Sequence, residues 1–447
     1  MEKIKLAFFK FINWQYCGLF LIVLFSLVMH LSVITQPSDG YIFDETYYIK
    51  DAQNIIDLHT TDRPEHPPLS KLIIVGGIEL FGDNPIGWRL PPILFGIANL
   101  ILLFLICRQL KLSVMVSTLA TFLLALENLN FLISSIDMLD VYSLFFMLLA
   151  FWLYLKDKFF LACSCLGLSM LCKMTGALGC VVIGLHWLFA GHRKPLRFLL
   201  SAYMVPIVFF AGLFVFDSII YMKWVNPLTD FISMMSGAGD LTFKDYSGGW
   251  EAYPWLWIFV PQDPIFYGTD KIKWQGLINP TLLYAVVPVF GYLIYRFIKR
   301  ERESFFSMMW FCGTYLMWIP IVLITDRLTY YFYFYSTIGA VAIAMAIVMA
   351  KLNNYRIGKW GVLVWLTAHA AAFTVLAPMK LWLSIPLCLI LLAYIIWNMG
   401  IFKKALPPED AGIPLEISSD LQPAGAAEIV EIAEIPEEIQ VDKQSEQ

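Results

Sequence analysis

Charge is what this sequence has least of. Lys, Arg, Asp and Glu make up 15% of its 447 residues, against 59% hydrophobic and 16% aromatic residues. A soluble fold of this length could not hide so much apolar surface, so that class is excluded. The apolar runs are long and continuous, which also excludes a membrane β-barrel, whose strands alternate in character. Histidine is sparse and scattered, at positions 30, 59, 66, 186, 192 and 369, so spacing supports no metal centre. The eight cysteines (17, 107, 163, 165, 172, 180, 312 and 388) all lie in apolar runs. They read as small hydrophobes and not as disulfides or metal ligands. There is no Walker loop, no GxGxxG after a strand, no GxSxG and no HExxH, and no cofactor is called for. No basic, aromatic-interleaved surface suggests nucleic acid.

What remains is helix. About 20 apolar residues span a bilayer, and lipid obliges each segment to satisfy its own backbone. The sequence predicts helices over 17–35, 88–107, 114–127, 129–155, 159–172, 174–190, 198–221, 277–297, 305–325, 329–350, 360–377 and 381–398. The 129–155 segment leaves room for a re-entrant piece. The first helix reads as a span and not as a cleaved leader. Lys3/Lys5/Lys10, Arg108/Lys111, Lys156/Lys158, Arg193/Lys194/Arg197, Lys299/Arg300/Arg302, Lys351/Arg356/Lys359 and Lys403/Lys404 fall on alternate connections. The positive-inside rule makes these cytoplasmic, with both termini inside. The expectation is an all-α polytopic cell-membrane protein of about 11–13 transmembrane helices.

Two long loops then face outward, 36–87 and 222–274. The first carries nine Asp/Glu. Tyr48, Ile49, Ala52, Ile55 and Ile56 have the spacing of an amphipathic helix lying on the membrane. Pro67-Pro68 suits the first turn of a second. The other loop is rich in Gly and aromatics, with Ser247-Gly248-Gly249-Trp250 and Tyr253-Pro254-Trp255-Leu256-Trp257, which favour the headgroup zone. Residues 405–447 hold eleven acidic residues and one Lys. They read as a disordered cytoplasmic tail after a 1–404 membrane domain.

The chemistry-bearing residues gather at the outer end. Asp44 and Glu45 follow the first helix, either to solvate its end or to act as a half-desolvated base. On extended chain they point in opposite directions. Arg89 opens the next span, as an interfacial anchor or as a fork for a lipid phosphate. Asp137 reads as lying at the wet end of its helix, whereas Asp140 is deeper and calls for an internal partner. Lys173 sits at a tight outer turn, where it can snorkel or pair with Asp140 or a phosphate. Asp326-Arg327 precedes Tyr330-Tyr331 at another outer turn.

Taken in order, these residues resemble a known family. Phe43-Asp44-Glu45 followed by His66-Pro67-Pro68-Leu69-Ser70-Lys71 looks like the first outer loop of the protein O-mannosyltransferases, of the GT-C class. Arg89-Leu90-Pro91-Pro92-Ile93-Leu94-Phe95-Gly96 is similar to the family's arginine motif. Met138-Leu139-Asp140, the Gly167-Leu168 to Cys172-Lys173-Met174-Thr175-Gly176 stretch, and Tyr253-Pro254-Trp255-Leu256-Trp257 fit later blocks. The likeness covers about residues 40–340. It departs at Ser135, where the family usually has arginine, and loop 222–274 has no room for the eukaryotic β-trefoil domain.

The resemblance implies a GT-C fold and transfer of a hexose, mannose by expectation, from a polyprenyl or dolichyl monophosphate to a hydroxyl on the outer face. The acceptor is a protein Ser/Thr, or a lipid-linked glycan or lipid. It implies one inverting displacement, with Asp44 as base, Glu45 positioning acceptor or loop, Arg89 and Lys173 on the donor phosphate, and Asp140 orienting Lys173. His66, Asp137 and Arg327 support the site, and no metal is required. Partners are the donor, the acceptor and membrane lipids, with homo- or hetero-oligomers compatible. A transporter or flippase is the competing class, but it should show internal repeats and broken helices near the midplane.

Overall fold

The computed structural model describes residues 16–402, apart from 39, 192–193, 240, 246–251, 261, 263, 270–272 and 299–303. The tail 405–447 lies outside the described residues, as do Ser247–Trp250 and several of the basic residues used for orientation (Lys3, Lys5, Lys10, Arg193, Lys299, Arg300, Arg302, Lys403 and Lys404).

The chain runs as α1 (Cys17–Leu31), α2 (Glu45–Leu58), α3 (Pro68–Phe81), α4 (Pro85–Gln109), α5 (Val114–Ala125), α6 (Asn128–Ser135), α7 (Leu139–Leu155) and α8 (Phe159–Cys172). After a 3₁₀ turn at Met174–Ala177 come α9 (Leu178–Phe189), α10 (Pro195–Ala202), α11 (Met204–Tyr221) and α12 (Pro227–Gly239). A hairpin of β1 (Ile265–Gly268) and β2 (Lys273–Gln275) follows. The last part holds α13 (Pro280–Ile298), α14 (Phe305–Phe311), a π-helical turn (Cys312–Leu316), α15 (Trp318–Thr325), α16 (Tyr335–Leu352), α17 (Arg356–Leu376) and α18 (Leu381–Met399).

Among the described residues, seven helical segments are long and apolar enough to cross a membrane, or eight if the bent pair α5–α6 is one span. Four shorter apolar helices stand beside them: α1, α7, α8 and Met174–Phe189. The α5–α6 pair bends by 66°. Glu127 makes the bend possible, because its carboxylate accepts the Asn130 N–H at 2.6 Å and caps the new helix. It also accepts the Asn279 N–H at 2.7 Å, which ties the break to the start of α13. The predicted single helix over 129–155 is therefore two, with Ile136–Met138 as the break.

The centre of the bundle is the segment Tyr331–Leu352, 89% buried over its apolar window. Its run of Ala and Gly lets neighbouring rings approach the backbone. The Trp310 ring lies 2.5 Å from where a Cβ on Gly339 would stand, and its indole N–H donates to the Ser336 carbonyl at 2.8 Å. Pro195–Tyr221, by contrast, is only 17% buried and turns most of its apolar surface outward.

Both amphipathic helices expected after the first span are present, as α2 and α3. Their setting differs from the expectation. The face of α2 carrying Tyr48, Ile49, Ala52 and Ile55 is buried against the protein and does not lie on a bilayer. Asp51 on the same helix is 1% exposed and pairs with Lys71 of α3 at 3.5 Å. This ion pair, with Thr61 between the two side chains, welds α2 and α3 into one unit above the spans.

Candidate active site

Asp44 and Glu45 sit where the chain turns from loop into α2. They do not lie on extended chain as expected. Asp44 occupies the N-cap position with helical angles (φ −71°, ψ −10°), and Glu45 begins the helix. Two consecutive helical residues still diverge, so the two carboxylates serve different surroundings.

Glu45 turns inward and is fully buried. Its Oε1 accepts Nε of Arg89 at 2.9 Å and its Oε2 accepts Nη2 at 2.8 Å, a bidentate pair. Oε2 also accepts the Ile42 N–H at 2.8 Å, and Oε1 accepts the Asp137 N–H at 3.2 Å. The other Arg89 donors go to carbonyls of Ile34, Gln36, Pro37 and Gly40, at 3.0–3.3 Å. A guanidinium this saturated, with no solvent exposure, has no edge left for a lipid phosphate. Arg89, expected on the donor phosphate, here spends its donors on Glu45 and on the loop that carries Asp44.

Asp44 turns the other way and is half-buried. Burial pushes its carboxyl up to about 6, with Lys173 and Arg63 pulling it down, Asp140 pushing it up and the Tyr48 hydroxyl stabilising its anion. Lys173 holds Asp140 at 2.7 Å. Its ammonium also lies 5.1 Å from the Tyr333 ring and 5.4 Å from that of Phe332, within cation–π range.

The local chain explains where Lys173 stands. Ser143 and Ser169 exchange hydrogen bonds of 2.7–3.0 Å across α7 and α8. Ser70 of α3 donates to the Cys172 carbonyl at 3.1 Å. Lys173 itself is extended (φ −157°, ψ 135°), so α8 stops and the side chain leaves toward Asp140.

Asp137 corrects another expectation. It is fully buried, not wet, because the 136–138 break is folded inside the bundle. The Tyr142 hydroxyl donates to one of its oxygens, and the other has no partner among the described residues. Asp140, expected to be the deeper of the two, is the one beside Asp44 and Lys173.

His66 joins the site from the loop between α2 and α3. Its ring meets that of Tyr48 edge-on at 5.6 Å. Burial lowers its pKa to about 3, helped by Lys173, Lys71, Arg63 and Arg327, so the imidazole is neutral at physiological pH. Three of these four cations are paired with carboxylates: Arg63 with Glu65 at 3.6 Å, Lys71 with Asp51 at 3.5 Å and Lys173 with Asp140 at 2.7 Å. Arg327 approaches His66 from the loop after α15, where Thr242 and Arg327 form a β-bridge. Among the described residues its buried Nη1 has no hydrogen-bond partner.

Sequence reasoning missed Arg63 and Tyr48 as members of this pocket. Arg63 sits in a charged loop with nothing to single it out, and Tyr48 reads as one more apolar position of α2. The structure brings Asp44, His66, Asp140, Lys173 and Arg327 near one another, and it joins Glu45, Arg89 and Asp137 in a separate hydrogen-bonded cluster.

Solved structures share this fold. The S. cerevisiae protein O-mannosyltransferase complex bound to its sugar donor matches with a TM-score of 0.65 at 11% identity, covering 81% of this chain and 90% of that one. ArnT from Cupriavidus metallidurans bound to undecaprenyl phosphate matches at 0.58 and 15% identity, covering 86% and 73%. The fold is that of the GT-C class.

In sequence it is a relative of the protein O-mannosyltransferases. The family profile for dolichyl-phosphate-mannose-protein mannosyltransferase matches residues 65–221. The polyprenol-phosphate-mannose–protein mannosyltransferase of Mycobacterium tuberculosis is 23% identical over 410 residues, 72% of this chain and 78% of the relative. That of Corynebacterium glutamicum is 22% identical over 431 residues, 74% and 82%. A Candida albicans dolichyl-phosphate-mannose–protein mannosyltransferase is 32% identical over a shorter stretch of 160 residues, 32% and 18%.

Proposed function

We propose that this chain transfers mannose from a polyprenyl monophosphate to a protein hydroxyl on the outer membrane face. The observation that carries the reading is the half-buried Asp44, its carboxyl pushed up to about 6, beside a pocket of Lys173, Arg63 and Arg327. The names of the relatives support both the donor and the acceptor class.

The chemistry follows from the residues. An acceptor hydroxyl is a weak nucleophile, and Asp44 takes its proton as it attacks C1 of the sugar. The new C1–O bond forms as the C1–O bond to phosphate breaks, and the bonding electrons leave with the polyprenyl phosphate. One displacement inverts the anomeric centre, through an oxocarbenium-like transition state of the kind seen in glycoside hydrolysis. Charge grows on the departing phosphate, and cations placed beforehand stabilise it. Lys173 and Arg327, the latter with a buried N–H that has no partner among the described residues, are the candidates, with neutral His66 as a donor or acceptor near both. Asp140 fixes the Lys173 ammonium. Glu45 and Arg89 hold the loop that presents Asp44.

The test is reconstitution of the full chain in lipid nanodiscs with radiolabelled polyprenyl-phosphate-mannose and two acceptors, a Ser/Thr-rich peptide and a lipid-linked glycan. Label on the peptide, with the anomer opposite to the donor's, is the expected result. Label on the glycan alone would replace the protein acceptor. No transfer to either, with sugar-phosphate lipid moved between leaflets, would replace the enzyme with a flippase.

A further inference from the structure

Phe43, the residue before Asp44, has φ +52°. For a bulky aromatic residue the left-handed region is an outlier, and such strain persists only where the surroundings over-determine it. Two rings surround Phe43. Phe266 stacks on it with centroids 4.0 Å apart and planes at 20°. Phe332 meets it edge-on at 5.6 Å and 83°. Phe266 and Phe332 also meet each other edge-on, at 6.2 Å, so the three rings close a triangle.

Phe266 comes from β1 of the hairpin, far along the chain from the acidic motif. The hairpin is shaped around this ring. A Cβ on Gly276, just after β2, would stand 2.3 Å from Cε1 of Phe266 and 2.6 Å from its Cζ. The Gly276 N–H donates to the Pro264 carbonyl at 2.8 Å, which fixes that glycine against the base of β1. Only glycine leaves the space in which the Phe266 ring lies on Phe43.

We propose that the hairpin is an aromatic clamp: Phe266, given room by Gly276, pins Phe43 in its left-handed conformation and so sets the direction of the Asp44 carboxylate. Phe266 is then a positioning residue, acting on the reaction through Phe43 and Asp44. The inference rests on the reading of Asp44 as the base. It goes beyond that reading by giving the second long loop control of the base supplied by the first. The groups facing Asp44 are Lys173, Asp140, Arg63 and the Tyr48 hydroxyl. None is on the hairpin, so a hairpin variant moves the carboxylate without removing a neighbouring charge.

The test uses the full chain in nanodiscs with Phe266→Ala, Gly276→Ala and Phe266→Tyr. A small displacement of a reacting group far from the mutated side chain can cost on the order of 10²-fold in rate. Both alanine variants should lose kcat on that scale with the donor KM little changed, while Phe266→Tyr, which keeps the ring, should recover most of the rate. A second readout needs no turnover. Dicyclohexylcarbodiimide modifies protonated, sheltered carboxyls, and peptide mass spectrometry reads Asp44 labelling against pH. Wild type should be half-labelled near pH 6, and both alanine variants at lower pH, as water reaches a loosened carboxylate.

Unmoved labelling with unmoved kcat overturns the clamp. So does a loss of kcat that tracks lost thermal stability with unmoved labelling, since that is a structural effect only. If wild type transfers no sugar yet the labelling moves, the clamp stands and the functional reading falls.

Discussion

Glu45 and Arg89 meet through two hydrogen bonds of 2.9 and 2.8 Å, with no solvent access to either side chain. Arg89 of this pair collects four loop carbonyls from residues 34–40. This divides the acidic motif into an inner carboxylate that builds the loop and an outer one that faces the pocket. A polar loop has little apolar material with which to fix itself, and here a buried ion pair does so.

Breaking that pair should cost stability first. Removing one partner of a buried pair leaves an uncompensated charge, at a cost of about 3–5 kcal/mol. Glu45→Ala and Arg89→Ala should both lower the thermal unfolding midpoint in detergent, with no donor present. Arg89→Lys should rescue little, because an ammonium cannot reproduce the fork. An Arg89→Ala protein of normal stability that had lost only donor affinity would return Arg89 to the phosphate.

Asp44→Asn should behave in the opposite way. Loss of a general base lowers rate by about 10²–10⁴-fold. Burial raises the Asp44 pKa, so its ionised form is disfavoured in the folded state and the amide should not destabilise the protein. Initial rates together with a melting curve check both halves. Near wild-type turnover in Asp44→Asn would remove the residue from its role.

The order of the motifs and the apolar runs carried most of the fold. Long apolar segments dictate spans, and Pro67-Pro68 and the α2 spacing placed two helices to within a residue or so. Segment 129–155 left room for a re-entrant piece, but the position of the break at 136–138 was not legible, because Ile136 and Met138 are as apolar as the helices on either side, and it is Glu127 capping α6 and the inward Asp137 that shape the chain there. The site divided in the same way. Asp140 and Lys173 are rare charges in apolar runs, and desolvation makes such charges seek each other. Arg89 looked like a phosphate fork because sequence cannot show that loop carbonyls already fill it. Arg63 was hidden among other loop charges, and Tyr48 among the apolar positions of its helix.

The pH dependence follows from Asp44. The base must be ionised to accept a proton, and its pKa is raised to about 6 by burial. The rate should rise through pH 6 and level off above it. The same group works against stability in that direction: its contribution is full below the ordinary carboxylate pKa and is lost as pH rises through 6. His66, lowered to about 3, should add no limb between pH 5 and 8. A kcat profile flat from pH 4.5 to 8 would contradict this account.

Transfer should need no added metal. Lys173, Arg63 and Arg327 already place positive charge around His66, where the leaving phosphate would lie. Treatment with a chelator should leave the initial rate unchanged. Activity lost in chelator and restored by Mg²⁺ or Mn²⁺ would overturn this.

Arg327 gives the sharpest test of the phosphate pocket. Its buried Nη1 has no partner among the described residues, a cost that a bound anion would remove. Arg327→Ala should therefore leave the empty protein as stable as wild type, since no internal bond to that nitrogen is lost. It should weaken donor binding, because a hydrogen bond between charged groups is worth about 1.5–3 kcal/mol, or roughly 10–150-fold in Kd. Lys173→Ala should weaken donor binding too, but it also strips the partner from buried Asp140 and should lower the melting temperature. Binding of a short-chain polyprenyl phosphate, followed by calorimetry alongside thermal melts, separates the two. If Arg327→Ala bound that lipid as tightly as wild type, the pocket would have to be built on Lys173 and Arg63 alone.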